Sequence, residues 1–213
     1  MSESDISFDD LSAVAVSRGP GSYTGLRIGV STAKGICYAC DIPLIAIDTL
    51  KTMAIKVIRS QYNELDDLKD IDQDNRLNSI PEKNIKELLQ NPGAGNLLLC
   101  PMIDARRMEV YMALFDSEAN RTRDITAEII TETTFSQFPE EKMILFFGDG
   151  ADKCRQVIVQ KNVIFIPGIY PSAEQMAELS CKSLMESRFE DTAYFEPFYL
   201  KDFITTTPKK KMV

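Results

Sequence analysis

Three groups of residues have types and spacings that chemistry uses. The first is the run Arg18-Gly-Pro-Gly-Ser-Tyr-Thr-Gly-Leu-Arg-Ile-Gly-Val-Ser-Thr-Ala-Lys-Gly35. A strand, a glycine turn and a helix start gather free backbone N–H groups at the positive end of a helix dipole, and such a place holds an anion. The spacing is neither G-x-G-x-x-G nor the P-loop, which ends in Gly-Lys followed by Ser or Thr. The competing reading is that these glycines only let a helix pack tightly on a sheet. The second group is Gly148-Asp149-Gly150, which together with Gly19, Gly21 and Gly25 could cradle phosphates through backbone amides. Asp104, Asp149 and Asp152 could then hold magnesium, which needs few carboxylates and keeps its waters. Asp104 with Arg106 and Arg107 reads equally well as a tight turn with a local ion pair. The third group is Cys37-x-x-Cys40, half of a zinc or redox motif without the second pair that a structural zinc site requires. Packing at the end of a helix accounts for it better.

Composition excludes more than it offers. The chain has 213 residues and no histidine. The usual hydrolase triads need an imidazole base, and catalytic zinc or iron sites usually take at least one imidazole ligand, so both chemistries are excluded. With 32 acidic against 24 basic residues the formal charge is -8, which is the wrong sign for a broad nucleic-acid footprint. The cluster Lys209-Lys210-Lys211 reads as a solvated tail. Five scattered cysteines, Cys37, Cys40, Cys100, Cys154 and Cys181, read as reduced core thiols of a cytoplasmic protein. No segment approaches the roughly 20 apolar residues of a membrane-crossing helix.

The elements that would position these groups alternate. Val14–Val16 reads as a short buried strand, and Ser22 or Thr24 caps a helix that runs to about Tyr38 with Leu26, Val30, Ala33 and Cys37 inward. Leu44–Ile47 is a second strand. Asp48 or Thr49 then caps a helix to about Gln61, with Leu50, Met53, Ala54, Val57 and Ile58 on its apolar side. Strands separated by helices imply parallel pairing. Residues 63–96 form an acidic insertion followed by a helix, Glu82–Gln90. A second lobe, 97–203, opens with an antiparallel meander of Leu97–Ile103, Glu109–Phe115 and Ile125–Thr131. It continues with a strand Met143–Phe147, a helix from Ala151 to about Gln160, a strand Val163–Ile166 and a long helix Ala173–Arg188 capped by Ser172. Residues 204–213 form the basic tail. Two mixed lobes in this order suit the α/β fold of acetate kinase, sugar kinases and actin, the ribonuclease H-like architecture.

Several stretches resemble the TsaB (YeaZ) family, which supplies the non-catalytic subunit in bacterial tRNA threonylcarbamoyladenosine synthesis. The resemblance rests on Gly19–Gly29 with Ala33-Lys34-Gly35, on Pro43–Leu50, on Ile103-Asp-Ala-Arg-Arg-Met-Glu-Val-Tyr111, on Gly148–Ala151, and on Pro197-Phe-Tyr-Leu-Lys201, where Lys stands for the family's Arg. It covers about Ala13 to Phe203. It implies the same two-lobed fold and argues against the glycoprotease label of the wider superfamily. The family's opening strand hairpin and Asp-Thr-Ser or Glu-Thr-Ser turn have no counterpart here, and Met1–Asp10 reads as the end of a helix and its loop. Residues 1–62 are thus expected to form an incomplete first lobe lacking roughly fifty residues and exposing strand edges.

What the resemblance implies about function is a scaffold that binds and activates a TsaD-type catalytic paralogue. The contact helix would run from about Ser22 to Tyr38 and present Ser22, Tyr23, Leu26, Arg27, Val30 and Lys34. A TsaE-type ATPase and a homodimer are further expected partners, with tRNA met only within the complex and no membrane involved. No cofactor is required, although ATP or ADP with magnesium would sit at the subunit interface. The alternative is a nucleotide-binding ATPase or kinase-like enzyme using Gly19, Gly21, Gly25, Gly148 and Gly150.

Overall fold

In the computed structural model the described residues are 6–59 and 97–200. The acidic stretch 63–96, its expected helix and the basic tail lie outside them. The described chain forms two sheets, one of two strands and one of five.

Strand β1 (Val14–Gly19) pairs in parallel with β2 (Leu44–Asp48) in the register Val14↔Leu44 to Ser17↔Ile47, and helix α1 (Tyr23–Cys40) crosses between them. Helix α1 is amphipathic as its spacing requires: Val30, Ala33 and Cys37 are buried, and Ala33 and Cys37 cluster with Leu44, Val14 and Val16. It ends where Asp41 takes a left-handed conformation and donates its N–H to the Cys37 carbonyl. Contrary to the sequence expectation, β1 is only half covered, with Ala15 exposed, because among the described residues β2 is its sole sheet neighbour. Ahead of it, Phe8–Asp10 forms a single 3-10 turn. The Asp10 carboxylate accepts from the Ser7 N–H (2.8 Å) and hydroxyl (2.7 Å), and these bonds hold it below the usual carboxylate range.

The second sheet has the order β5-β4-β3-β6-β7. Strands β3 (Leu97–Asp104), β4 (Glu109–Phe115) and β5 (Arg121–Ile129) form the expected antiparallel meander, while β6 (Met143–Phe147) and β7 (Val163–Ile166) join β3 in parallel. The unbroken apolar runs of β3 and β6 follow from burial on both faces. Leu97, Leu99, Leu145 and Phe147 point to one core, and Leu98, Cys100, Ile144 and Phe146 to the other. Helix α2 (Thr49–Arg59) covers the first face with Leu50, Met53, Ala54 and Val57, and α3 (Asp149–Cys154) covers the second with Ala151 and Cys154.

Several boundaries differ from the sequence reading. Strand β5 starts at Arg121 rather than Ile125 and stops at Ile129 rather than Thr131. As an edge strand it tolerates polar residues outward, which hides it from an apolar count. Helix α3 begins at Asp149, stops at Cys154 and passes into turns in which the Val157 and Ile158 N–H groups both bond the Cys154 carbonyl. Helix α4 spans only Met176–Met185, because Ser172 caps a local turn, accepting from the Glu174 N–H at 3.2 Å, instead of starting the helix. Among the thiols Cys37, Cys100 and Cys154 are buried, whereas Cys181 is exposed on α4.

Gly148 sits at φ 102°, and a Cβ there would fall 2.1 Å from the Met102 carbonyl oxygen and 2.7 Å from Met53 Cε. Gly148→Ala is therefore expected to destabilise the chain by about 3 kcal/mol or more, read as a lowered urea midpoint, since backbone strain and overlap add. Burial pushes the Cys154 thiol from 9.0 to about 11 and the Cys100 thiol well above its ordinary value. The folded chain keeps these protons at a pH where the unfolded chain releases them. The Cys154 contribution is thus complete below pH 9.0 and lost as pH rises toward 11, so the urea midpoint should fall across that window, less steeply in Cys154→Ala.

Candidate functional site

Helix α1 carries the residues singled out by sequence, and the fold sorts them. Ser22 is the N-cap, its hydroxyl accepting from the Gly25 N–H at 3.3 Å. Leu26 lies half-buried under the glycine turn, and Val30, 4% exposed, faces the sheet and offers nothing outward. Arg27 is exposed, with its guanidinium 5.7 Å from the Tyr23 ring centroid and donating to the Tyr23 hydroxyl at 3.3 Å.

Tyr23 and Lys34 are occupied by a segment far away in sequence. Residues 190–199 run back over the first sheet as a strap. The Glu190 N–H donates to the Leu44 carbonyl (2.9 Å), and the Phe198 N–H to that of Arg18 (2.7 Å). Lys34 Nζ donates to the carbonyls of Ala193 (3.0 Å) and Phe195 (3.1 Å), and Phe195 packs beside Ala33 and Cys37. Tyr199 packs on Tyr23 with tilted rings at 4.9 Å between centroids, and Arg18 lies over the Phe198 ring at 5.7 Å. Burial and the neighbouring Tyr23 push the Tyr199 hydroxyl above its ordinary value. The Pro197-Phe-Tyr-Leu stretch thus acts structurally, clasping the start of α1.

The outward face of α1 holds residues that sequence reasoning passed over. Ile28 is 63% exposed and Tyr38 88%. Between them Ser31, Thr32 and Gly35 are exposed, and a Cβ on Gly35 would meet nothing within 4 Å. A mid-helix glycine costs about 0.5–1 kcal/mol relative to alanine, and this chain's own packing does not require it. Lys34, Gly35 and Tyr38 also border a depression of about 510 Å³ closed by Asp191, Thr192 and Ala193. The available signal was the position of Ile28 and Tyr38 off the Leu26-Val30-Ala33-Cys37 stripe.

The two glycine loops serve packing in this fold. Gly19, at φ 109°, lets the Phe198 carbonyl approach to within 2.9 Å of where a Cβ would be, and Gly21 and Gly19 both lie over Leu26; Gly25 touches only Ser22. Gly148 and Gly150 close on the backbone of Met102 and Ile103. The nearest neighbours of the two loops are different. Asp149 accepts the Asp104 N–H at 3.0 Å, while the Asp104 carboxylate accepts the Arg106 N–H at 2.8 Å and pairs with Lys153. The expected ion pair of Asp104 with Arg106 and Arg107 is thereby corrected. Lys153 is its partner, and the two arginines adopt positive φ in the turn. Burial raises the Asp104 carboxyl, but Lys153 and the Arg106 N–H together hold it below the usual range.

Removing the Lys34 ammonium should free the strap without unfolding α1. In Lys34→Met, amide hydrogens of residues 193–199 are expected to exchange about tenfold or more faster, as loss of a charge-assisted bond of about 1.5–3 kcal/mol requires, while those of α2 stay protected.

Comparison with known proteins finds relatives in sequence and in fold. The family model described as TsaD, tRNA N6-adenosine threonylcarbamoyltransferase, matches residues 1–64. The tRNA threonylcarbamoyladenosine biosynthesis protein TsaB of Escherichia coli (strain K12) is 27% identical over 210 residues, covering 95% of this chain and 76% of that protein. The TsaB of Bacillus subtilis (strain 168) is 25% identical over 178 residues, 82% of this chain and 62% of its own length. A crystal structure from Pseudomonas aeruginosa, described as an uncharacterized protein with similarity to peptidase YEAZ, superposes with a TM-score of 0.67 at 19% identity, covering 94% of this chain and 78% of that one, and so shares the two-lobed α/β fold. The chain is thus similar in sequence to TsaB proteins along most of its length and similar in fold to the YeaZ structure.

Proposed function

We propose that this chain acts in tRNA threonylcarbamoyladenosine biosynthesis as a non-catalytic subunit that docks a TsaD-type catalytic paralogue on the outer face of α1 and so activates threonylcarbamoyl transfer to adenosine of tRNA. The observation that carries the reading is Gly35, which leaves room for close approach of another helix between exposed Ile28 and Tyr38 and beside a depression able to seat an anchor residue. The names of the relatives speak for a biosynthesis subunit rather than a protease. The absence of histidine and the charge of -8 favour a scaffold that meets tRNA only inside a complex.

In this reading the chain works in the cytoplasm; among the described residues no helix is long and apolar enough to cross a membrane. A TsaE-type ATPase joins the same assembly, self-pairing uses the same exposed helix face, and ATP or ADP with magnesium belongs at the boundary between subunits. A stand-alone ATPase or kinase-like enzyme is disfavoured by the glycine loops, whose close contacts are with Phe198, Met102 and Ile103.

Affinity for the TsaD-type subunit, measured by calorimetry on the intact chain, provides the test. Ile28→Glu, Arg27→Glu and Gly35→Leu should each weaken binding about tenfold or more, which is about 1.4 kcal/mol. Gly35→Ala should leave the free chain more stable by about 0.5–1 kcal/mol. Undiminished affinity in all three interface variants would sink the docking face.

A further inference from the structure

A cavity of about 550 Å³ opens between the two sheets, away from the outer face of α1, and its walls come from the ends of β1 and β2, the first turn of α2, strand β5, helix α4 and the strap. The size lies in the range of small-molecule sites, about 300–1,000 Å³. Its charge is opposite to that of the whole molecule. Arg18, Lys51, Arg121 and Arg188 line it against only Asp48 and Asp124, in a chain of net -8.

The pairing inside the cavity shows which cations remain available. Arg121 reaches both carboxylates, Asp48 at 3.4 Å and Asp124 at 3.5 Å. Asp48 is further engaged as the cap of α2, accepting the Lys51 N–H at 3.0 Å. Arg188 is paired with Glu186 at 2.7 Å. Among the described residues no carboxylate pairs with the side chains of Arg18 or Lys51. The Arg18 guanidinium is held in place by the Phe198 ring, so its fork is oriented in advance. Ser183, only 8% exposed, adds a hydroxyl to the same wall, and Phe115, Ile125 and Leu179 supply an apolar one.

A planar fork, a point cation and a hydroxyl around one cavity match the oxygens of a phosphate monoester or diphosphate, and an apolar wall suits the uncharged remainder of such a molecule. We infer that this cavity binds a small phosphorylated compound, its phosphate held between Arg18 and Lys51 and its remaining part laid on the Phe115, Ile125 and Leu179 wall. Low-dielectric walls focus the excess positive potential of the cleft, which favours an anion there although the whole chain repels one. The cavity shares no lining residue with the depression beside α1.

Calorimetry on the full chain with inorganic pyrophosphate, AMP and glucose 6-phosphate, in buffer of physiological salt, tests the inference. At least one probe should bind saturably, with Arg18→Gln and Lys51→Gln each raising its Kd about tenfold or more and Lys51→Arg keeping it within about threefold. AMP as the tightest probe would assign the apolar wall to a base, glucose 6-phosphate as the tightest would assign it to a sugar, and both support the site. No saturable binding of any probe up to about 10 mM, or a Kd indifferent to both glutamine variants, overturns it. Circular dichroism melting of the variants separates lost binding from lost folding, and Lys161→Gln, an exposed position outside the cavity, should bind the probe normally.

Discussion

Helix α2 lies against both sheets, and the remaining architecture depends on that contact. Thr49, Leu50, Thr52, Met53, Ala54, Ile55 and Val57 are all buried, so the helix is covered on nearly every side and touches strands of each sheet. A helix apolar around most of its circumference is stable only when enclosed. Its two buried threonines are satisfied locally, Thr49 by Ser17 of β1 and Thr52 by the Asp48 carbonyl at 2.9 Å, so burial leaves these hydroxyls hydrogen-bonded. Met53 then touches the space beside Gly148, which couples the first lobe to the turn that launches α3. Truncating such a side chain typically costs about 2–5 kcal/mol, comparable to much of a domain's net stability.

With α2 in place, the strap adds cover to the first lobe. Two strands and one helix bury little by themselves, and residues 190–199 add backbone bonds to Leu44 and Arg18, the Phe195 side chain under α1 and the Lys34 clasp. The strap covers the inner flank and the start of α1 and leaves the outer flank to solvent. The same segment places Phe198 against Arg18 and so gives the cavity between the sheets one of its walls. One terminal stretch therefore organises both the exposed helix face and the charged cleft, and this explains why a motif so far from the glycine loop in sequence accompanies it.

Much of the fold was legible because local pattern and burial coincide. The all-apolar runs of β3, β6 and β7 could only be covered strands, and the Leu26-Val30-Ala33-Cys37 spacing could only turn inward on a helix. Reading failed where polar residues do structural work. The polar side chains of Arg121 to Asp124 concealed the first half of β5, and a hydroxyl spent on a turn at Ser172 suggested a helix start that lies further on, at Met176. Of the site, the identity of α1 was legible but its exposed side was not. Val30 was expected at the contact surface and is buried against the sheet, and Lys34 was expected there too and is bound by the strap. Both turn on how whole elements pack over α1, which no local spacing encodes.

The amino-acid sequence by itself determined the alternation of strands and helices, the absence of imidazole chemistry and the glycines at 19, 21, 148 and 150, since periodicity, composition and backbone freedom are local properties. Only the tertiary structure decided what those glycines approach. Gly19 admits the Phe198 carbonyl and Gly148 admits that of Met102, and an approach of two chain segments distant in sequence is set by the packing of whole elements. The same holds for the charge of the cleft. A chain of net -8 carries a basic cavity because folding brings Arg18, Lys51, Arg121 and Arg188 to one place while, among the described residues, carboxylates pair with only Arg121 and Arg188.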